Sequence, residues 1–84
     1  MVHYLIMCRS LTYAQRSART LERAGITATI MRAPKRLSRE GCGYCVKISQ
    51  RRLQQALGAL DRGNMPYNRV YIVHQNGEAA EVAL

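Results

Sequence analysis

Two of the three cysteines in this 84-residue chain lie in Cys42-Gly43-Tyr44-Cys45, directly after the basic stretch Pro34-Lys35-Arg36-Leu37-Ser38-Arg39-Glu40-Gly41. A cysteine reacts as its thiolate, and neighbouring cations lower the thiol pKa below its usual value of about 8.5. Cys42 therefore reads as a sulfur nucleophile, with Arg36 and Arg39 stabilising the thiolate. Gly41 and Gly43 carry no side chain to shield the sulfur. Cys45 has two readings, a second thiol that resolves chemistry at Cys42 or a small strand filler. Cys8 ends an apolar run and reads first as a buried hydrophobe.

Other chemistries find less support. A zinc site would need a fourth ligand beside the three cysteines, and His3 and His74 are the available candidates. There is no Ser-His-Asp logic, no paired carboxylate and no Walker-type glycine loop, so hydrolase and nucleotide-binding readings have no residues to stand on. An odd cysteine count argues against a structural disulfide framework. The net charge of +8 is compatible with binding nucleic acid or an acidic protein, and equally with a solvated basic surface. No apolar run is long enough to span a membrane. Met1 to Cys8 is too short for a signal peptide and has no basic residue before it, so a cytoplasmic location with reduced thiols is expected. No cofactor is expected.

The elements that must position these residues follow from hydrophobic periodicity. His3 to Cys8 is a continuous apolar run and predicts a central strand. Ser10 or Thr12 offers an N-cap, Thr12 and Gln15 have capping-box spacing, and Leu11, Ala14, Ala18 and Leu21 form the apolar face of a helix ending at Gly25. Ile26 to Arg32 alternates as a second strand stopped by Pro34. Tyr44, Val46 and Ile48 alternate with Cys45 and Lys47 as a third. Ser49 can cap a second helix with Leu53, Ala56, Leu57 and Leu60 inward, ended by Gly63-Asn64. Arg69 to His74 is a fourth strand, and residues 75–84 read as a loose tail after one domain over 1–74.

The order strand, helix, strand, strand, helix, strand is the α+β, ferredoxin-like βαββαβ sandwich, a four-stranded antiparallel sheet with both helices on one face. That topology gathers Cys8, the start of the first helix, Arg32 and Gly43 at one end of the sheet. Arg9, Lys35, Arg36, Arg39 and Arg69 are expected there too, and Cys8, Cys42 and Cys45 become expected neighbours. His3 and His74 fall at the other end, roughly 15–20 Å away along a strand of this length, which weakens the zinc reading. RNA-recognition domains share the topology but stack bases on central-strand aromatics. Here Tyr4 and Tyr71 are the available rings, so any nucleic-acid binding is expected to be weak and carried by charge. Met7, Tyr71 and Val73 fall on the open sheet face, where a homodimer could form.

From about Tyr4 to Tyr71 the chain resembles the selenium/sulfur (Se/S) carrier protein-like family. The resemblance rests on Leu21-Glu22-Arg23-Ala24-Gly25-Ile26, then Pro34, Leu37-Ser38, and above all Cys42-Gly43 opening the third strand. It implies that Cys42 is a carrier thiol holding sulfur or selenium as a persulfide or selenopersulfide. A cysteine desulfurase or other donor protein would load it and an acceptor protein unload it, which makes the chain more a carrier than an enzyme. Two features depart from the family pattern: Cys45, which makes a Cys-x-x-Cys, and the strongly basic loop. The alternatives are a basic, non-enzymatic binding module and a Cys42/Cys45 dithiol redox switch.

Overall fold

A computed structural model describes residues 2–37 and 43–83 of the chain. The elements run β1 (His3–Cys8), α1 (Leu11–Arg23), β2 (Thr29–Arg32), a 3₁₀ turn (Lys35–Leu37), β3 (Tyr44–Ser49), a second 3₁₀ turn (Gln50–Arg52), α2 (Leu53–Arg62), β4 (Val70–Val73) and β5 (Ala79–Glu81). The strands form one antiparallel sheet in the order β2-β3-β1-β4-β5.

The apolar run of β1 has the reason expected of it. β1 lies between β3 and β4, and Leu5, Ile6, Met7 and Cys8 are all buried, so both faces of the strand are covered. Alternation sends Ile6 and Cys8 toward the helices, where they join Val46, Ile48, Val70, Ala14, Leu21, Leu57 and Leu60. Leu5 and Met7 point the other way, with Cys45, Ala33 and Tyr71.

Helix ends fix where the strands begin. The Ser10 hydroxyl caps α1 by accepting a hydrogen bond from the Tyr13 N–H at 3.3 Å; Thr12 lies inside the helix. At the other end the Ile26 N–H donates to the Leu21 carbonyl and the Gly25 N–H to that of Glu22, a Schellman closure with Gly25 at φ +80°. Ile26 and Leu21 are both buried, so Ile26 serves the helix end and the second strand shortens to Thr29–Arg32. α2 closes the same way: Met65 donates to Leu60 and Asn64 to Asp61. The left-handed residue there is Asn64, at φ 53°, and not Gly63. Ser49 ends β3 without capping a helix through its side chain, because the Gln50–Arg52 turn intervenes.

Three expectations are corrected. The sheet has five strands, not four. Its extra strand comes from the stretch read as a loose tail: Ala79, Ala80 and Glu81 pair with Val73, Ile72 and Tyr71, and the Val82 N–H donates to the Val70 carbonyl. Finally, the face away from the helices is not bare around Met7 and Tyr71. Met7 is 3% and Tyr71 5% exposed, with Leu37, Met31 and Val73 packed on their cluster. The reason is an apolar residue inside the basic stretch. Leu37 sits at the end of the Lys35–Leu37 turn and reaches the sheet's second face, and the Arg36 guanidinium donates to the Gly77 carbonyl in the β4–β5 turn.

Candidate functional site

The site must be built from β3 outward. Cys8 pairs with Tyr44 and Met7 with Cys45 in the β1–β3 ladder, while Arg32 pairs with Tyr44 on the other side. Gly43 extends this end of the ladder, its carbonyl accepting from the Ala33 N–H at 2.8 Å. A Cβ added at Gly43 would meet nothing within 4 Å, and its backbone is outside the left-handed region. Packing and conformation therefore do not demand glycine here. Ser38, Arg39, Gly41 and Cys42 lie outside the described residues.

Cys8 and Cys45 do not share a site. Their strand positions are close, but the pleat sends the side chains to opposite faces. Cys8 is 0% exposed in the helix-side core, where its Sγ donates to the Ile6 carbonyl at 3.6 Å and approaches the Ser17 Oγ at 4.0 Å. This is the setting of a structural cysteine. Cys45 is also 0% exposed, among Leu5, Met7, Ala33 and Tyr71 on the second face. One buried polar atom stands out in the same cluster: the Tyr71 hydroxyl has no hydrogen-bond partner among the described residues.

The cations expected at the Gly43 end divide. Arg9 lies over the Tyr13 ring at 5.9 Å, and Arg32 over the Tyr44 ring at 5.5 Å. Arg32 Nη2 also donates to the Tyr44 hydroxyl at 3.5 Å. These two guanidiniums stand at the helix N-terminus and the head of β3. Arg69 is at this end too, since its carbonyl accepts from Met7, but its side chain is paired with Glu81 at 3.0 Å. The Arg36 guanidinium donates to the Gly77 carbonyl, past the far end of β4, and its expected place beside Cys42 lies outside the described residues.

The histidines lie where the topology put them. His3 pairs with Ser49 and Val73, and the His74 N–H donates to the Glu78 carbonyl, both at the end away from Gly43. Among the described residues no three His, Cys, Asp or Glu side chains gather as metal ligands. No described helix is long and apolar enough to cross a membrane. Tyr4 packs on the helix-side core and Tyr71 is buried, so neither offers an exposed ring on the second face. The cover over Cys45 was the feature sequence reasoning missed. Its signal was Leu37, one apolar side chain in a charged run, together with too many apolar residues on a face expected to be open.

These elements define a small antiparallel α+β domain in which Gly43 leads into β3, with Cys45 on that strand, beside the central strand of the sheet. The family described as Putative Se/S carrier protein-like matches residues 3–72, and the chain belongs to that family. No curated protein and no solved structure gives a match.

Proposed function

We propose that the chain carries sulfur or selenium between proteins as a persulfide or selenopersulfide on Cys42. The observation that carries this reading is the family match over residues 3–72, which includes Cys42-Gly43, the two residues that precede β3 in the sequence. The two-helix, antiparallel α+β arrangement, with sheet order β2-β3-β1-β4-β5, is compatible with the same reading. In the loading step the Cys42 thiolate attacks the terminal sulfur of a donor persulfide, such as that of a cysteine desulfurase. A new S–S bond forms, the donor's S–S bond breaks, and the donor leaves as thiolate, so no outside oxidant or reductant is consumed. Unloading is the same exchange onto an acceptor thiolate. Selenium follows the same bookkeeping. Arg9 and Arg32, standing at the Gly43 end, favour a thiolate over a thiol in their neighbourhood.

The test is to incubate the chain with a cysteine desulfurase and cysteine and to weigh it intact and after digestion. The expected result is one added sulfur atom on the Cys42 peptide, lost in Cys42→Ser and removed by a reductant. No added sulfur on Cys42 would sink the proposal, as would an alkylation pH profile giving that thiol the pKa of free cysteine, about 8.5.

A further inference from the structure

β2 is an outer strand of the sheet, and its outward backbone groups can be identified. The Ala33 N–H donates to Gly43, which sets the phase of the β2–β3 ladder. In an antiparallel pair such residues alternate, so Met31 and Thr29, opposite Cys45 and Lys47, also turn their polar groups toward β3. Ile30 and Arg32 then turn their N–H and C=O groups away from the sheet. No described residue bonds to them.

The same edge borders a groove. Gln15, Ala18, Arg19 and Glu22 of α1 face Ala28, Thr29 and Ile30 across it. Leu11, Gln15, Ala18 and Glu22 fall on one stripe of the helix, at steps of four and three. The two large hydrophobic side chains exposed among the described residues are Leu11, at 40%, and Ile30, at 36%. Ile30 lines this groove, and Leu11 lies one turn before Gln15 on the helix that forms its other wall. Arg19 lines it, and Glu22 is the only carboxylate among its lining residues; Arg32, exposed and resting on the Tyr44 ring, is two residues beyond Ile30 on the same strand.

We propose that an extended, acidic segment of a partner protein docks here by adding as a strand to β2. Main-chain hydrogen bonds to Ile30 and Arg32 would supply affinity, and alternate side chains would supply specificity. Residues opposite Ile30 and Arg32 face the groove with them, so the pattern recognised is acidic-x-apolar-x-acidic. The apolar residue covers Ile30, one carboxylate meets Arg32, and the other meets Arg19. The pattern reads the same in either direction, so it does not depend on strand polarity. A second copy of this chain is the poorer occupant, because it brings its own Arg19, Arg32 and net charge of +8 against the same groups. The docked segment would run along the strand that pairs with β3, whose head is Gly43. This inference concerns the interface and stands whether or not sulfur is the cargo.

The probe is a fluorescein-labelled peptide, Thr-Glu-Thr-Val-Thr-Glu-Thr, titrated with the full chain while amide exchange is followed. Binding is expected to slow exchange at Ile30 and Arg32 specifically. Arg32→Glu should weaken it roughly tenfold, the size expected when an opposite-charge cross-strand pair becomes like-charged. Ile30→Ala should weaken it as well, and because Ile30 is exposed the fold should survive. The peptide with lysine in place of glutamate should not bind. No binding of the acidic peptide would overturn the proposal, as would binding without protection of those two amides. Protection of the same amides in a dimer of the chain alone would assign the edge to a second copy and overturn it too.

Discussion

The Arg36 guanidinium donates a hydrogen bond to the Gly77 carbonyl, 41 positions later in the chain. Arg36 follows β2, at one edge of the sheet, and Gly77 lies in the hairpin at the other edge. The bond thus ties the Lys35–Leu37 turn across the second sheet face, with Leu37 packed on the cluster that holds Cys45. A stretch that reads as a basic surface loop is, over these residues, part of the sheet's cover.

The cover should control access to Cys45. Leu37→Ala removes half-buried apolar surface and is expected to cost about 1–2 kcal/mol. Arg36→Ala removes an exposed bond and should cost under about 1 kcal/mol. Alkylation of Cys45, read by peptide mapping, should quicken in both, more in the double variant. An unchanged rate would mean that the turn does not guard the thiol.

Tyr71 brings to the same cluster a buried hydroxyl with no partner among the described residues. A buried polar group without a hydrogen bond forfeits its hydration for nothing. Tyr71→Phe should therefore be neutral or stabilising, by up to about 1–2 kcal/mol in chemical denaturation. Tyr71→Ala, which also removes the ring, should cost about 3–5 kcal/mol. A loss on Tyr71→Phe would show that the hydroxyl contributes favourably.

β5 predicts that the last ten residues belong to the folded unit. Ending the chain at His74 strips β4 of its partner, exposes Val70 and Tyr71, and removes both Gly77 and Glu81. The loss should be at least about 2 kcal/mol from apolar exposure alone, with aggregation through the uncovered edge. Glu81→Gln should change stability by less than about 1 kcal/mol, because its ion pair with Arg69 is 40%/46% exposed. If truncation leaves the melting temperature unchanged, β5 contributes nothing.

What the sequence made legible, and what it hid, divides along physical lines. β1, the apolar face of α2, the Ala14, Ala18 and Leu21 part of that of α1 and the alternation placing Cys45 opposite Val46 and Ile48 could all be read, because period and burial coincide in them. Leu11, expected on the α1 face, is 40% exposed, and Ser17 is buried there instead. β5 could not, since Ala79-Ala80-Glu81 has no period of its own and is a strand only through its ladder with β4. The reach of Arg36 was equally hidden, because charge says nothing about which acceptor a long side chain will find. Cys8 was placed correctly along its strand, but its face follows from the pleat: it and Cys45 occupy opposite faces of the sheet. The proposed nucleophile, Cys42, is legible only as a residue type in a sequence setting of glycines and cations.

Helix ends offer a test of backbone geometry. Gly25 at φ +80° and Asn64 at φ 53° occupy equivalent places in the two closures. Gly25→Ala should lose about 1–2 kcal/mol, the penalty for an L side chain in left-handed backbone. Asn64→Gly should stay within about 0.5 kcal/mol of the parent, because asparagine already tolerates that conformation and glycine loosens the unfolded chain. Equal effects at both sites would contradict the assigned closures.

Gly43 separates access from folding at the proposed carrier thiol. Since a Cβ there meets nothing within 4 Å and the backbone is not left-handed, Gly43→Ala should change stability by no more than about 0.5 kcal/mol. If glycine is present to leave the neighbouring sulfur open to a partner's persulfide, then loading should slow in Gly43→Ala and more in Gly43→Val. Cys8→Ala is the complementary control: it thins the helix-side core, lowers stability, and should leave loading per folded molecule intact. Cys45→Ala should also load, because its thiol is covered. Measuring sulfur uptake beside denaturant stability for the four variants distinguishes the roles. Full-rate loading by Gly43→Val would remove the access argument and leave Cys42 to be judged on its own reactivity.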